Sequence, residues 1–77
     1  MKVTVYSTPT CPFCKKLKAF LTEQQITFVD IDVAADDAKA KEMIAKTNQM
    51  GVPVIEIDGN CIVGFQEENI RKALNLS

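Results

Sequence analysis

The sequence predicts an α/β fold in which a βαβ unit is followed by a ββα unit. Three observations carry this expectation. The alternating, β-branched run Lys2-Val3-Thr4-Val5-Tyr6 leads into a helical pattern after Cys11, a second β-branched run spans Ile26 to Asp32, and the dipeptide Asp58-Gly59 separates two short apolar runs.

Each element has its own reason. Lys2 to Tyr6 reads as a strand broken by Ser7-Thr8-Pro9-Thr10. Beyond Cys11, the apolar positions Phe13, Leu17, Phe20 and Leu21 fall within one arc of a 3.6-residue period, so the first helix starts at the cysteine motif. Ile26 to Asp32 is the second strand, and a strand, helix, strand run of this length implies a right-handed parallel crossover. Ala34 to Thr47 is rich in Ala, Lys and Glu, with Ala40, Met43, Ile44 and Thr47 on one side; this is a second helix, and Asp36 and Asp37 suit its positive end. Asn48-Gln49-Met50-Gly51 stops it. Pro53 to Ile57 and Asn60 to Val63 form an antiparallel hairpin about a turn that tolerates positive φ. Gln66 to Leu76, with Ile70, Ala73 and Leu74 at helical spacing, closes the chain as a third helix.

Composition narrows the function classes. The 77 residues make one domain, 1–77, and 47% hydrophobic with 25% charged residues is the balance of a chain that buries a core. A net charge of −1 with interleaved signs argues against nucleic acid and against an anionic membrane surface. Apolar runs are too short for a membrane span, and the run from Met1 enters a strand pattern at once, which reads as a chain without a signal peptide. A cytoplasmic monomer is the expectation.

The chemistry sits in the cysteines. Three of them cannot close a disulfide framework, and Cys11-Pro12-Phe13-Cys14 has the C-x-x-C spacing of redox or metal chemistry. A closed zinc site needs four nitrogen or sulfur ligands; the chain has no histidine and only Cys61 in addition, so no metal residues are assigned. Pro12 falls at the first helical position, where its missing N–H costs nothing. At such a helix start the unpaired N–H groups and the helix dipole favour an anion, which predicts a thiolate at Cys11, with Lys15 and Lys16 adding positive charge. Cys11, at the mouth of the helix, attacks an incoming disulfide; Cys14, one turn inside, resolves the mixed disulfide, leaving an oxidised pair that an external reductant resets.

Tyr6-Ser7-Thr8-Pro9-Thr10-Cys11-Pro12-Phe13-Cys14, Gly51-Val52-Pro53, and Ile57-Asp58-Gly59 leading to Gly64-Phe65 together resemble the glutaredoxin family, in order and over nearly the whole chain. The resemblance implies the thioredoxin fold: a four-stranded mixed sheet flanked by three helices, with Val52-Pro53 as a cis peptide facing the cysteines. On residues alone Pro53 reads as a strand-opening proline. With the resemblance, it presents the Val52 backbone to an extended thiol-bearing substrate that adds like a strand.

The implied activity is a dithiol thiol–disulfide oxidoreductase that reduces protein or glutathione mixed disulfides. No cofactor is expected to be bound, and glutathione enters as a co-substrate. Glutathione-binding members carry a lysine three residues before the first cysteine, a threonine two before the cis-proline, and a Gly-Gly pair followed by a small residue and Asp. This chain instead has Thr8, Gly51 and Gly64-Phe65-Gln66-Glu67. Thr8, Pro12, Phe13, Val52, Pro53, Gly64, Phe65, Gln66 and Glu67 are the candidate substrate-binding residues. The Gly64-Phe65 segment also resembles small redoxins that serve ribonucleotide reductase and are recharged by thioredoxin reductase, so the electron donor is either glutathione or a flavoprotein reductase. An iron–sulfur cluster held between paired Cys11 thiolates, as in some glutaredoxins, is a third reading.

Several residues carry two readings. Phe13 suits a partner contact or a core edge, and Phe65 a core residue at a strand end or a substrate contact. Lys15, Lys16 and Lys18 form a solvated helix face that can steer an anionic partner. Met43 and Met50 read as gap-fillers in the core, and Cys61 as a small buried hydrophobe.

Overall fold

The structure is a computed structural model and describes residues 2–76. Seven elements follow in the expected order: β1 (Val3–Ser7), α1 (Pro12–Glu23), β2 (Val29–Asp32), α2 (Asp37–Thr47), β3 (Val54–Ile57), β4 (Asn60–Val63) and α3 (Glu67–Ala73). The strands form one mixed sheet in the order β2-β1-β3-β4. β1 and β2 run parallel, with Thr4 opposite Val29 and Ser7 opposite Asp32. β3 is antiparallel to β1, with Val3 opposite Ile57, and β4 is antiparallel to β3.

Because side chains alternate along a strand, β1 sends Val3 and Val5 to one face of the sheet and Tyr6 to the other. On the first face they meet Ile55 and Ile57 of β3, Leu17, Phe20 and Leu21 of α1, and Ile70 and Leu74 at the end of the chain. On the second, Tyr6 and Val54 meet Met43 of α2. The βαβ crossover therefore puts α1 and α3 on one side and α2 on the other.

Element boundaries are tighter than the residue pattern suggests, for local reasons. The second strand begins at Val29 rather than Ile26. Gln25 takes a left-handed conformation (φ 59°), the Ile26 N–H closes α1 on the Leu21 carbonyl at 2.9 Å, and Ile26 and Phe28 turn onto the main core before pairing starts. The second helix begins at Asp37 rather than Ala34. The Asp32 carboxylate captures the Ala34 N–H at 2.9 Å and fixes a turn, and Asp36 then caps the helix by accepting the Lys39 N–H at 3.1 Å. Asn48 ends it in the left-handed region (φ 61°). The third helix stops at Ala73, where Asn75 (φ 59°) reverses the chain and the Leu76 N–H bonds the Arg71 carbonyl at 2.8 Å. The Asp58-Gly59 turn has positive φ at both positions, 49° and 90°, the geometry that joins two strands without splaying them. Among the described residues, no helix is long and apolar enough to cross a membrane.

Candidate active site

Cys11 is the N-cap of α1. Its backbone is extended (φ −87°, ψ 115°), Pro12 starts the helix, and the Cys11 sulfur accepts the Cys14 backbone N–H at 3.2 Å. An N-cap normally uses a serine, threonine or aspartate oxygen to satisfy one of the four orphaned N–H groups. Here a sulfur does it, so an N–H dipole and the positive end of a three-turn helix are aimed at the Cys11 Sγ. The approach is fixed from both sides: the Cys11 N–H bonds the Thr8 carbonyl at 3.4 Å, and the Lys15 N–H bonds the Cys11 carbonyl at 3.2 Å.

Across from the helix mouth lies the loop before β3. Val52-Pro53 is a cis peptide, and the Val52 carbonyl is 3.9 Å from the Cys11 sulfur. The Gly64 N–H bonds the Pro53 carbonyl at 2.7 Å with Gly64 at φ 83°, so the end of β4 is pinned to the same loop. Residues 41 positions apart in sequence, Cys11 and Val52, thereby share one site.

The two cysteines stand in different environments. Cys11 is half-buried, whereas Cys14 is fully buried. Burial first, and then the neighbouring Cys11 sulfur, push the Cys14 thiol up to about 11, while the Thr8 backbone and the Lys18 ammonium pull it back. Such a pair has one more accessible sulfur that accepts a helix N–H and one sheltered sulfur whose burial favours the neutral thiol.

The remaining candidates divide. Thr8, Pro12 and Val52 lie about Cys11, and Pro53 and Gly64 adjoin Val52 in the facing loop. Phe13 is 57% exposed on the first turn of α1, a surface position and not a core edge. Phe65 packs on Phe20 with ring centroids 5.9 Å apart and joins the main core. Gln66 and Glu67 spend their side chains locally: the Gln66 amide donates to the Val63 carbonyl at 2.6 Å, and Glu67 pairs with Arg71 at 3.1 Å. Lys15 and Lys16 are exposed, and the Lys16 ammonium stands 5.2 Å over the Phe13 ring. Two expectations outside the motif need correction. Met43 fills the core, but Met50 is 78% exposed, because it follows the left-handed Asn48 and lies in the loop that leads to Val52. Cys61 is half-buried, and its thiol faces the Glu56 carboxylate at 3.9 Å.

Lys18, expected above only as part of a solvated helix face, is held by two residues given no role there. Lys18 stands one turn further along α1 and pairs with Asp30 of β2 at 3.0 Å, and Asp30 also accepts the buried Ser7 hydroxyl at 2.7 Å. The one available signal was spacing, since residues i and i+4 share a helix face.

A sulfur N-cap, a sheltered second sulfur one turn inside, and a facing cis-proline, held by a β2-β1-β3-β4 sheet with three helices, define a thiol–disulfide oxidoreductase of the thioredoxin fold. The family model for glutaredoxin matches residues 3–62, and the chain belongs to the glutaredoxin family. It is 51% identical over 72 residues to an uncharacterized glutaredoxin-like 8.6 kDa protein in the rubredoxin operon of Clostridium pasteurianum, covering 94% of this chain and 96% of the relative. It is 34% identical over 73 residues to the glutaredoxin-like protein NrdH of Lactococcus lactis subsp. cremoris, covering 91% and 96%. A crystal structure of a mutant of the thioredoxin-like protein BC3987 superposes with a TM-score of 0.93 at 32% identity, covering 99% of this chain and 97% of that one.

Proposed function

We propose that the protein reduces disulfides by a two-cysteine route. The Cys11 thiolate attacks a partner disulfide R–S–S–R′, forming Cys11–S–S–R and releasing R′–S⁻. Cys14 then gives up its proton to solvent and attacks the Cys11 sulfur. This breaks the mixed disulfide, releases R–S⁻ and leaves a Cys11–Cys14 disulfide, so two electrons have passed to the partner. The observation that carries this reading is the Cys14 N–H on the Cys11 sulfur at 3.2 Å, which aims a helix N–H at the attacking atom and places the two residues one turn apart. The substrate adds along the Val52 backbone, with Thr8, Pro12, Phe13 and Gly64 around it. Cys11→Ser abolishes turnover. Cys14→Ser accumulates a mixed disulfide on Cys11, visible by mass spectrometry under non-reducing conditions; full turnover in the Cys11→Ser protein overturns the route.

For the reductant that resets the pair, we favour a flavoprotein thioredoxin reductase over glutathione. Thr8 supplies no cation for a glutathione carboxylate, Gly51 replaces the threonine hydroxyl, and the side chains of Gln66 and Glu67 are held in local contacts. The near-equal length shared with the NrdH relative points the same way. Offering the oxidised protein thioredoxin reductase with its nicotinamide cofactor, and separately glutathione with glutathione reductase, decides between them. Faster reduction by glutathione reverses the assignment.

A further inference from the structure

Resting on the two-cysteine route above, we propose that Lys18 is a positioning residue for the second step: held in place by Asp30 and Ser7, its ammonium stabilises the Cys14 thiolate at the moment Cys14 attacks the mixed disulfide. The argument begins with position. Cys14 and Lys18 are i and i+4 on α1, so their side chains lie over one another on the same helix face. A lysine on an exposed helix ordinarily samples many rotamers. This one is restrained, because Asp30 of β2 accepts its ammonium at 3.0 Å and the 2%-exposed Ser7 of β1 fixes that carboxylate by donating to its other oxygen at 2.7 Å. The restraint therefore runs through three elements, α1, β2 and β1, all anchored to the sheet.

The chemistry explains why a held cation matters there. Cys14 is fully buried, and the resolving step needs its thiolate in that setting. Burial and the sulfur of Cys11 oppose that charge, and the groups that favour it are the Thr8 backbone and the Lys18 ammonium. Asp30 carries the opposite charge but is not among the groups that act on Cys14. The first step does not need this help. Cys11 has the Cys14 N–H and the helix start, and it is the more accessible sulfur. Lys18 thus separates the two steps: it serves the sheltered thiol and leaves the attacking one to the backbone.

The test separates the steps as well. The reduced protein is mixed rapidly with a fluorescent peptide disulfide, and the rise of the mixed disulfide and its decay are followed as two phases. Lys18→Gln is expected to leave the rise unchanged and to slow the decay roughly three- to tenfold at neutral pH. The deficit closes as the pH rises and Cys14 ionises without help. Lys18→Arg restores the decay, because it keeps the charge. Equal slowing of both phases, a deficit that persists at alkaline pH, or an unchanged decay overturns the assignment. Cys14→Ser run in parallel tells this failure from that of the route: if it accumulates no mixed disulfide, the two-cysteine scheme itself falls, whereas a normal trap with a fast Lys18→Gln decay removes Lys18 alone.

Discussion

The two faces of the sheet solve the same packing problem with different materials. The face under α1 and α3 is dry: Val3, Val5, Leu17, Leu21, Ile55 and Ile70 all lie at or below 3% exposure. The face under α2 buries a smaller apolar cluster, Tyr6, Met43 and Val54, with Thr4 on the same face, and then turns polar. Lys46 of α2 reaches Glu56 of β3 at 3.0 Å and the Tyr6 hydroxyl at 3.2 Å, and Glu42 on its own helix at 3.2 Å. Beside them a groove of about 260 Å³ stays open, floored by Thr4, Tyr6, Val29 and Ile31. The redox helix is seated on the dry face. A sulfur N-cap works only if the first turn of α1 holds its direction, and close-packed apolar contacts hold it more firmly than solvent-screened ion pairs.

The largest effect that tests this contrast is a cavity on each face. Leu21→Ala, in the dry core, is expected to cost about 3–5 kcal/mol in a urea titration, because the surrounding side chains leave little room to collapse. Met43→Ala, in the smaller cluster next to the groove, is expected to cost about 2 kcal/mol. Equal losses would mean that the two faces contribute alike.

Next in size is a pH effect confined to the dry face. The fold holds the Cys14 thiol above its ordinary value, so the neutral thiol stabilises the native state. That contribution is intact below the ordinary value of 9.0 and is lost as the pH climbs through about 11. The gap is worth on the order of 2 kcal/mol. Cys14→Ser removes the titrating thiol and leaves Cys11 in place, so urea midpoints of the reduced wild-type protein should fall over this range relative to those of the reduced variant. Lys46 and Cys61 titrate in both proteins and drop out of the difference. Parallel curves would show that Cys14 ionises as freely folded as unfolded.

How far each feature was legible follows from its range in sequence. The order of elements, the Asp58-Gly59 turn and the Cys11-Pro12 helix start are written in neighbouring residues, and local sterics decide them. The strand that starts at Val29 instead of Ile26 was not legible, because β-branched composition does not say whether Ile26 and Phe28 face a strand partner or the core. The placement of Val52-Pro53 against Cys11 came from family resemblance, whereas the bond from Gly64 to Pro53 was not foreseen. Ser7 and Asp30 escaped notice, and Lys18 was legible only as part of a solvated face, because each is ordinary where it stands; their meaning appears only when three elements bring them together. Met50 failed for the opposite reason, an apolar residue carried to the surface by the turn at Asn48.

The smallest effect separates the polar face from its thiol. Lys46→Met removes the cation that ties α2 to β1 and β3, and since its side chain is about a third exposed (34%), the expected loss is about 1 kcal/mol. Glu56 first, and then Tyr6, hold the Lys46 ammonium above the ordinary lysine range. The stability it contributes is therefore complete at neutral pH and is lost only as the pH rises beyond that range. Hydrogen exchange should quicken along α2 and leave α1 unchanged. Cys61 gives a second readout with a definite sign. Burial first, and then the Glu56 charge, raise its thiol, while Lys46 lowers it. With Cys11 and Cys14 oxidised, Cys61 is the free thiol left to alkylate. Lys46→Met should slow that alkylation, and Glu56→Gln should speed it. Two changes to one ion pair that move a neighbouring thiol in opposite directions cannot be explained by loosening of α2, which would expose Cys61 in both.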